Sequence, residues 1–176
     1  MDADRGWLFM SGGGWVQRAR PDGSQRELLH NGSAVLDIAL DLQKQHVYWV
    51  SEGAGRGAGR EAAEAGLWRM TYAGEERVRL APAAPQRRPV ALALHRDVLY
   101  WLDTMLDRGS VVSAPLANLS DYRIMRHNVL YHRTDLMIWS KERQSRRSAN
   151  PCAAAEGAAG AGCAALCLWD GRRARC

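Results

Sequence analysis

An internal repeat of short apolar segments limits the folds open to this chain more than any other feature. Residues 47–51 and 98–103 each contain a Tyr-Trp pair, and the two pairs lie 52 residues apart. Each segment follows another apolar segment, at 35–42 and at 90–94, across a short polar turn. Apolar runs of about four to eight residues between turns are typical of β-strands. The repeat therefore predicts an all-β chain built from similar units.

A second repeated segment follows each Tyr-Trp run and also follows a degenerate copy at 8–11. Its three copies are residues 16–29, 67–80 and 111–125. Each predicts a strand, a tight turn and a strand, with Gly23, Gly74 or Asn118 in the turn, because Gly and Asn tolerate positive φ. These turn residues are spaced by 51 and then 44 residues. Four strands in each unit of about 40–50 residues indicate the blades of a β-propeller.

A low-complexity segment rich in Gly, Ala, Arg and Glu occupies residues 53–66. Its glycines are typical of a flexible surface loop. We interpret it as an insertion between the second and third strands of one blade. Removing most of it brings the repeat period close to the roughly 40 residues that one blade requires.

The formal net charge is +5, and the basic residues are mostly scattered arginines. Such a distribution fits a solvated surface, or one that steers acidic partners by long-range attraction. No aromatic-plus-basic motif accompanies the charge, so a nucleic-acid partner is not expected. No apolar run approaches the roughly 20 residues that a membrane helix needs. If the protein is extracellular, its signal, its anchor and any further blades are expected to lie outside this chain.

All four cysteines, Cys152, Cys163, Cys167 and Cys176, lie within the last 25 residues. This clustering predicts a separate small module at 149–176, after a cysteine-free domain at 1–148. A module with so little core needs disulfides or a metal to hold it together. The residue types allow either disulfides or a zinc site, and the isolated three-residue gap favours disulfides.

Together these motifs resemble the low-density lipoprotein receptor family. Residues 48–51 and 100–103 resemble its YWTD repeats, and 38–41 and 90–93 resemble the strand before each repeat. Three further segments match in order: 18–24 the third strand and its turn, 135–139 the strand that closes the last blade, and 150–168 the start of an EGF-like module.

The resemblance implies about three blades of a six-bladed YWTD β-propeller, followed by a truncated EGF-like module. It also implies disulfides Cys152–Cys167 and Cys163–Cys176. In two copies of the repeat, Ser11 and Ser51 replace the aspartate of the family's motif, and only Asp103 retains it. Any interblade contact of that aspartate is therefore left open in two of the three blades. Three blades leave two apolar faces uncovered, so the functional protein is expected to be longer at both ends.

Three sets of residues are candidate sites. Asn31 and Asn118 begin Asn-X-Ser sequons in predicted turns, where a glycan would project into solvent. The repeat aromatics suit a ligand-binding surface or packing between blades, and packing is the favoured interpretation. These aromatics are Tyr48, Trp49, Tyr100 and Trp101. His46 and His95 fall in equivalent predicted turns; because the family releases ligand at endosomal pH, they are pH-sensing candidates, with ordinary loop histidines as the alternative.

No catalytic motif, phosphate-binding loop or metal-ligand pattern was found, so an enzyme, a cofactor and a metal are not expected. The resemblance implies the extracellular part of a single-pass cell-surface receptor that cycles through endosomes. Its partners would be a secreted protein or lipoprotein and other modules of the same receptor. The alternatives are a Wnt-type signalling co-receptor and a basement-membrane adhesion protein. An enzyme on a six-bladed scaffold is the least favoured reading.

Overall fold

The computed structural model describes residues 1–52, 65–82, 88–104, 108–129 and 135–140, together with the short strands at 168–169 and 174–175. Two compact units divide the chain. The first comprises Met1–Met10, Gln17–Leu28 and Trp139–Cys176. The second comprises Ser11–Val16 and Leu29–Ile138, and it holds the two complete sheets.

Every regular element of the described residues is a β-strand, which confirms the all-β prediction. The strands are β1 (Leu8–Gly12), β2 (Trp15–Ala19), β3 (Glu27–Asn31), β4 (Val35–Asp41), β5 (His46–Ser51), β6 (Gly66–Thr71), β7 (Val78–Pro82), β8 (Pro89–His95), β9 (Val98–Asp103), β10 (Ser110–Pro115), β11 (Arg123–Arg126), β12 (Leu168–Trp169) and β13 (Ala174–Arg175).

The strands form sheets in which chain neighbours are also spatial neighbours. The orders are β1-β2-β3, β4-β5-β6-β7, β8-β9-β10-β11 and β12-β13. Both four-stranded sheets are antiparallel throughout. A four-stranded meander repeated along the chain is the architecture of propeller blades. The chain is therefore a partial β-propeller.

The two complete sheets pack face to face through the repeat residues. One cluster of buried side chains joins them, and it contains Tyr48 and Val50 of β5 together with Leu99 and Trp101 of β9. Because alternate residues of a strand face opposite sides, the tyrosine of one repeat and the tryptophan of the next share this core. Trp49 is buried on the opposite face of β5 and stacks on Trp68. Consecutive repeats thus stack in one direction along the chain.

The sheets are closest at their first strands. Strand β8 contacts both β4 and β5. One half-buried side chain makes this junction polar: Asp37, at an irregularity in β4, accepts hydrogen bonds from Ile38 N at 2.7 Å and from Leu92 N at 2.6 Å. Its carboxylate thereby joins the backbones of neighbouring sheets.

Several predictions concern residues outside the described ranges. Strand β5 ends at Ser51 and β6 begins at Gly66, so the low-complexity segment predicted at 53–66 does lie between the second and third strands, except that Gly66 belongs to β6; residues 53–64 are not described. Cys152, Cys163, Cys167 and Cys176 also lie outside the described residues. Their pairing and the EGF-like module stay predictions. In that region β12 and β13 form a short antiparallel pair.

Candidate protein-binding rim

One edge of the two complete sheets is formed by four hairpin connections. We call this edge the hairpin rim; it comprises residues 42–45, 72–77, 96–97 and 116–122. Backbone bonds tie its hairpins in pairs: Tyr72 N donates to Gln45 O at 2.8 Å, and Leu116 N donates to Asp97 O at 2.8 Å. An ion pair between Lys44 and Asp97 joins the two sheets here, and both side chains are more than half exposed. The rim is therefore an ordered polar surface.

The opposite edge carries the end of each Tyr-Trp repeat. Asp103 is fully buried, and its Oδ1 accepts from Arg88 N at 3.0 Å, just before the first strand of the same sheet. Ser51 occupies the equivalent place in the preceding sheet, where its hydroxyl bonds that of Ser33. Both residues therefore fasten the second strand to the segment that enters the first. An ion pair between Arg88 and Glu52 links the two sheets at this edge.

The two candidate histidines border the hairpin rim in neighbouring sheets. His46 is the first residue of β5 and His95 the last of β8, so they lie at strand ends rather than within the predicted turns. Both are half-buried. Burial and the nearby Arg69 lower the pKa of His46, and Asp41 partly opposes them. His46 is therefore neutral at neutral pH and gains its proton only on acidification.

A third histidine, which the sequence did not distinguish, is the most buried of the three. His30 of β3 is 4% exposed, and its ring lies 5.2 Å from that of Trp49. Neither ring nitrogen has a hydrogen-bond partner among the described residues. Burial, with a smaller contribution from Arg77, lowers the pKa of His30 to about 4. The available sequence signal was its place directly after two leucines in a short strand.

The two sequons lie in different surroundings. Asn118 is exposed in the connection between β10 and β11, and its Oδ1 accepts from Ser120 N at 3.1 Å. Asn31 is also exposed but ends strand β3, and its sequon serine, Ser33, is buried. The structure thus separates two motifs that the sequence presents as equal.

Several arginines of the first unit are held by local contacts. The guanidinium groups of Arg18 and Arg20 lie 4.5 and 3.7 Å from the ring centroid of Trp7. Arg18 also pairs with Glu27 at 2.6 Å, and Arg20 donates to the backbone oxygens of Arg5 and Gly6. These contacts favour a structural use of the positive charge in this unit.

Within the described ranges, no three His, Cys, Asp or Glu side chains are grouped as a metal site. The same residues contain no helix long and apolar enough to cross a membrane.

No protein-family model matches the chain, and a search of characterised proteins found no match. Among solved structures, a crystal structure of a nidogen/laminin complex is similar, with a TM-score of 0.35 and 14% sequence identity. The similarity covers 67% of this chain and 60% of that one. The chain thus spans about 60% of the length of the solved structure that it matches.

Proposed function

We propose that this chain is the extracellular ligand-binding part of a cell-surface receptor related to the low-density lipoprotein receptor family. The observation that carries the proposal is the one-directional stacking of its Tyr-Trp repeats. Tyr48 of one sheet and Trp101 of the next share a core, and Ser51 and Asp103 fasten equivalent strand ends. Packing of the aromatics inside the blades leaves the rims to contact a ligand.

The hairpin rim is the surface that we assign to a secreted protein or lipoprotein. Lys44 and Asp97 present opposite charges at its centre, and their side chains are 53% and 73% exposed. His46 and His95 border it. Exposed charges on an ordered edge provide electrostatic complementarity, which sets partner choice and association rate more than affinity.

The proposed receptor spans the plasma membrane once, through an anchor outside this chain, and cycles through endosomes. A Wnt-type co-receptor and a basement-membrane adhesion protein are the alternatives within the same class of extracellular binding. Three probes distinguish them: low-density lipoprotein particles, a purified Wnt protein and laminin. We expect the immobilised chain to bind the lipoprotein saturably in surface plasmon resonance. Saturable binding of only the Wnt protein or only laminin would select the corresponding alternative, and binding of none would refute the proposal.

A charge-swapped pair tests the assignment of the rim. Lys44→Glu with Asp97→Lys keeps an ion pair between the sheets but inverts the charge pattern on the hairpin rim. Glu52→Arg with Arg88→Glu does the same at the opposite edge and is the matched control. We expect the first swap to slow association and the second to leave it unchanged, because rim charges act mainly on the association rate. Equal effects of the two swaps would contradict the assignment.

A further inference from the structure

We propose that Asn118 carries an N-linked glycan and that Asn31, which begins the same kind of sequon, remains unmodified. The inference rests on the extracellular location in the proposed function. It goes beyond that function because a glycan site requires no knowledge of the ligand.

The modification is a group transfer that needs both the asparagine amide and the sequon hydroxyl within reach of a transferase. The donor is an oligosaccharide linked through its C1 to a lipid diphosphate. A bond forms between Asn118 Nδ2 and that C1, while the bond from C1 to the diphosphate oxygen breaks. The lipid diphosphate leaves with the bonding electrons, and the amide gives up one proton to a base of the transferase.

The hairpin that holds Asn118 presents both the asparagine and the hydroxyl residue of the sequon to solvent, while Leu119 between them packs against the core. Asn118 and Ser120 are both exposed, as are Ala117 and Asp121 on either side. The backbone is held in a turn by Ser120 N, which donates to Asn118 Oδ1 at 3.1 Å. This bond uses the oxygen of the amide and not its nitrogen, the atom that is modified. A glycan here replaces no packing contact of the core.

In the sequon at Asn31, the two residues after the asparagine are held by contacts with other segments. Ser33 is 6% exposed, and its hydroxyl bonds the hydroxyl of Ser51. Gly32 N donates to Gly14 O at 2.7 Å, and a Cβ added to Gly14 would lie 2.6 Å from Gly32 O. The backbone is therefore packed against another loop. Asn31 and Gly32 are exposed, but the hydroxyl of Ser33, which the transferase must also reach, is buried.

The contact that hides Ser33 is local in sequence. Ser33 and Ser51 flank a single hairpin formed by β4 and β5, and they are 18 residues apart. Hairpins form in about 1–10 µs, whereas synthesis adds about 5–20 residues each second. The Asn31 sequon is thus open to burial as soon as β5 has been made. Asn118 and Ser120 are exposed in the folded hairpin as well as before it forms.

The test is expression of the full chain behind a cleavable secretion leader in mammalian cells, followed by mass spectrometry of the glycopeptides. We expect one N-glycan, at Asn118, removable by peptide N-glycosidase. Asn118→Gln and Ser120→Ala should each abolish it, whereas Ser120→Thr should retain it. Asn31→Gln and Ser33→Thr are the matched variants at the other sequon and should leave the glycan content unchanged.

Two outcomes would overturn the inference: secreted chain without a glycan at Asn118, or comparable occupancy of Asn31 and Asn118. Ser120→Thr guards against a folding defect, because it keeps both the sequon and the turn. The added leader imposes the secretory route, so a missing glycan refutes the site itself. Loss of ligand binding with the glycan present would instead refute the proposed function.

Discussion

Acidification should destabilise the second unit through His30, whose buried ring has no hydrogen-bond partner among the described residues. The pKa of His30 is lowered from 6.5 to about 4, because burial disfavours its charged form. Above pH 6.5 the histidine is neutral in both the folded and the unfolded chain, so it adds no pH dependence. Below 6.5 the unfolded chain takes up the proton more readily, and stability falls as the pH falls.

The size of the loss follows from the two pKa values. One unit of difference corresponds to about 1.4 kcal/mol, and the loss accumulates until the folded form is itself protonated near pH 4. We therefore expect the free energy of unfolding to fall by about 2 kcal/mol between pH 7 and pH 5, and by about 3 kcal/mol at pH 4. Domains are stable by only about 5–15 kcal/mol, so a loss of this size is readily measured.

Two variants isolate the contribution of His30. His30→Phe keeps a ring against Trp49, and His30→Gln keeps a polar group, but neither can take up a proton. Urea unfolding followed by tryptophan fluorescence at pH 7.5, 6, 5 and 4.5 would give the free energies. Other groups titrate in all three proteins, so the quantity of interest is the difference between wild type and each variant. At pH 7.5 the Phe variant should match or exceed the wild type, since an unpaired buried polar group is removed.

Both variants should lose the His30 part of the acid dependence, although they differ from each other at neutral pH. The difference between wild type and variant should therefore move by about 2 kcal/mol from pH 7.5 to pH 5. Parallel pH profiles for all three proteins would show that the burial of His30 does not control the acid response, and the reasoning would fail.

Three further outcomes concern the core between the sheets, their polar junction and the hairpin rim. Trp101→Ala should lower the free energy of unfolding by about 3–5 kcal/mol in the same urea titration, because it leaves a cavity in the core between the sheets. The control Trp139→Ala should change it by less than about 0.5 kcal/mol, because that side chain is 74% exposed. Asp37→Ala should cost about 1–3 kcal/mol by leaving the Leu92 amide without its partner, and Asp37→Asn should cost less. His46→Ala with His95→Ala should weaken acid-induced release of a bound lipoprotein in surface plasmon resonance, and unchanged release would refute their pH-sensing role.

The repeat made the blade architecture predictable because two independent periodicities agree. The Tyr-Trp runs gave the second strands β5 and β9, and the glycine turn at Gly74 gave the hairpin between β6 and β7. Packing of the aromatics was also predictable, because the side chains of an inner strand point to the two faces of its sheet, and stacked blades cover those faces. Which aromatic faces which sheet depends on register, and no single strand specifies that.

The contacts that hold the rims were not predictable, because they join residues far apart in the sequence. Asp37 and Leu92 are separated by 55 positions, and Lys44 and Asp97 by 53. The two residues of each pair lie about one repeat apart in the sequence, yet they contact each other directly across neighbouring sheets. His30 was missed for a related reason: its ring contacts Trp49, which belongs to the next sheet and itself stacks on Trp68.

The loss of aspartate from the repeat at Ser51 need not weaken the blade, because the two residues satisfy the same requirement differently. In one sheet the carboxylate of Asp103 accepts from the backbone of Arg88. In the other, Ser51 bonds the hydroxyl of Ser33, and Glu52 N donates to Ala34 O at 3.0 Å as Thr104 N does to Arg88 O. The backbone bond is common to both sheets, and only its side-chain neighbour differs. What the repeat preserves is therefore a link between the end of the second strand and the segment before the first strand. A serine can supply this link where that segment offers a hydroxyl, as Ser33 does for Ser51.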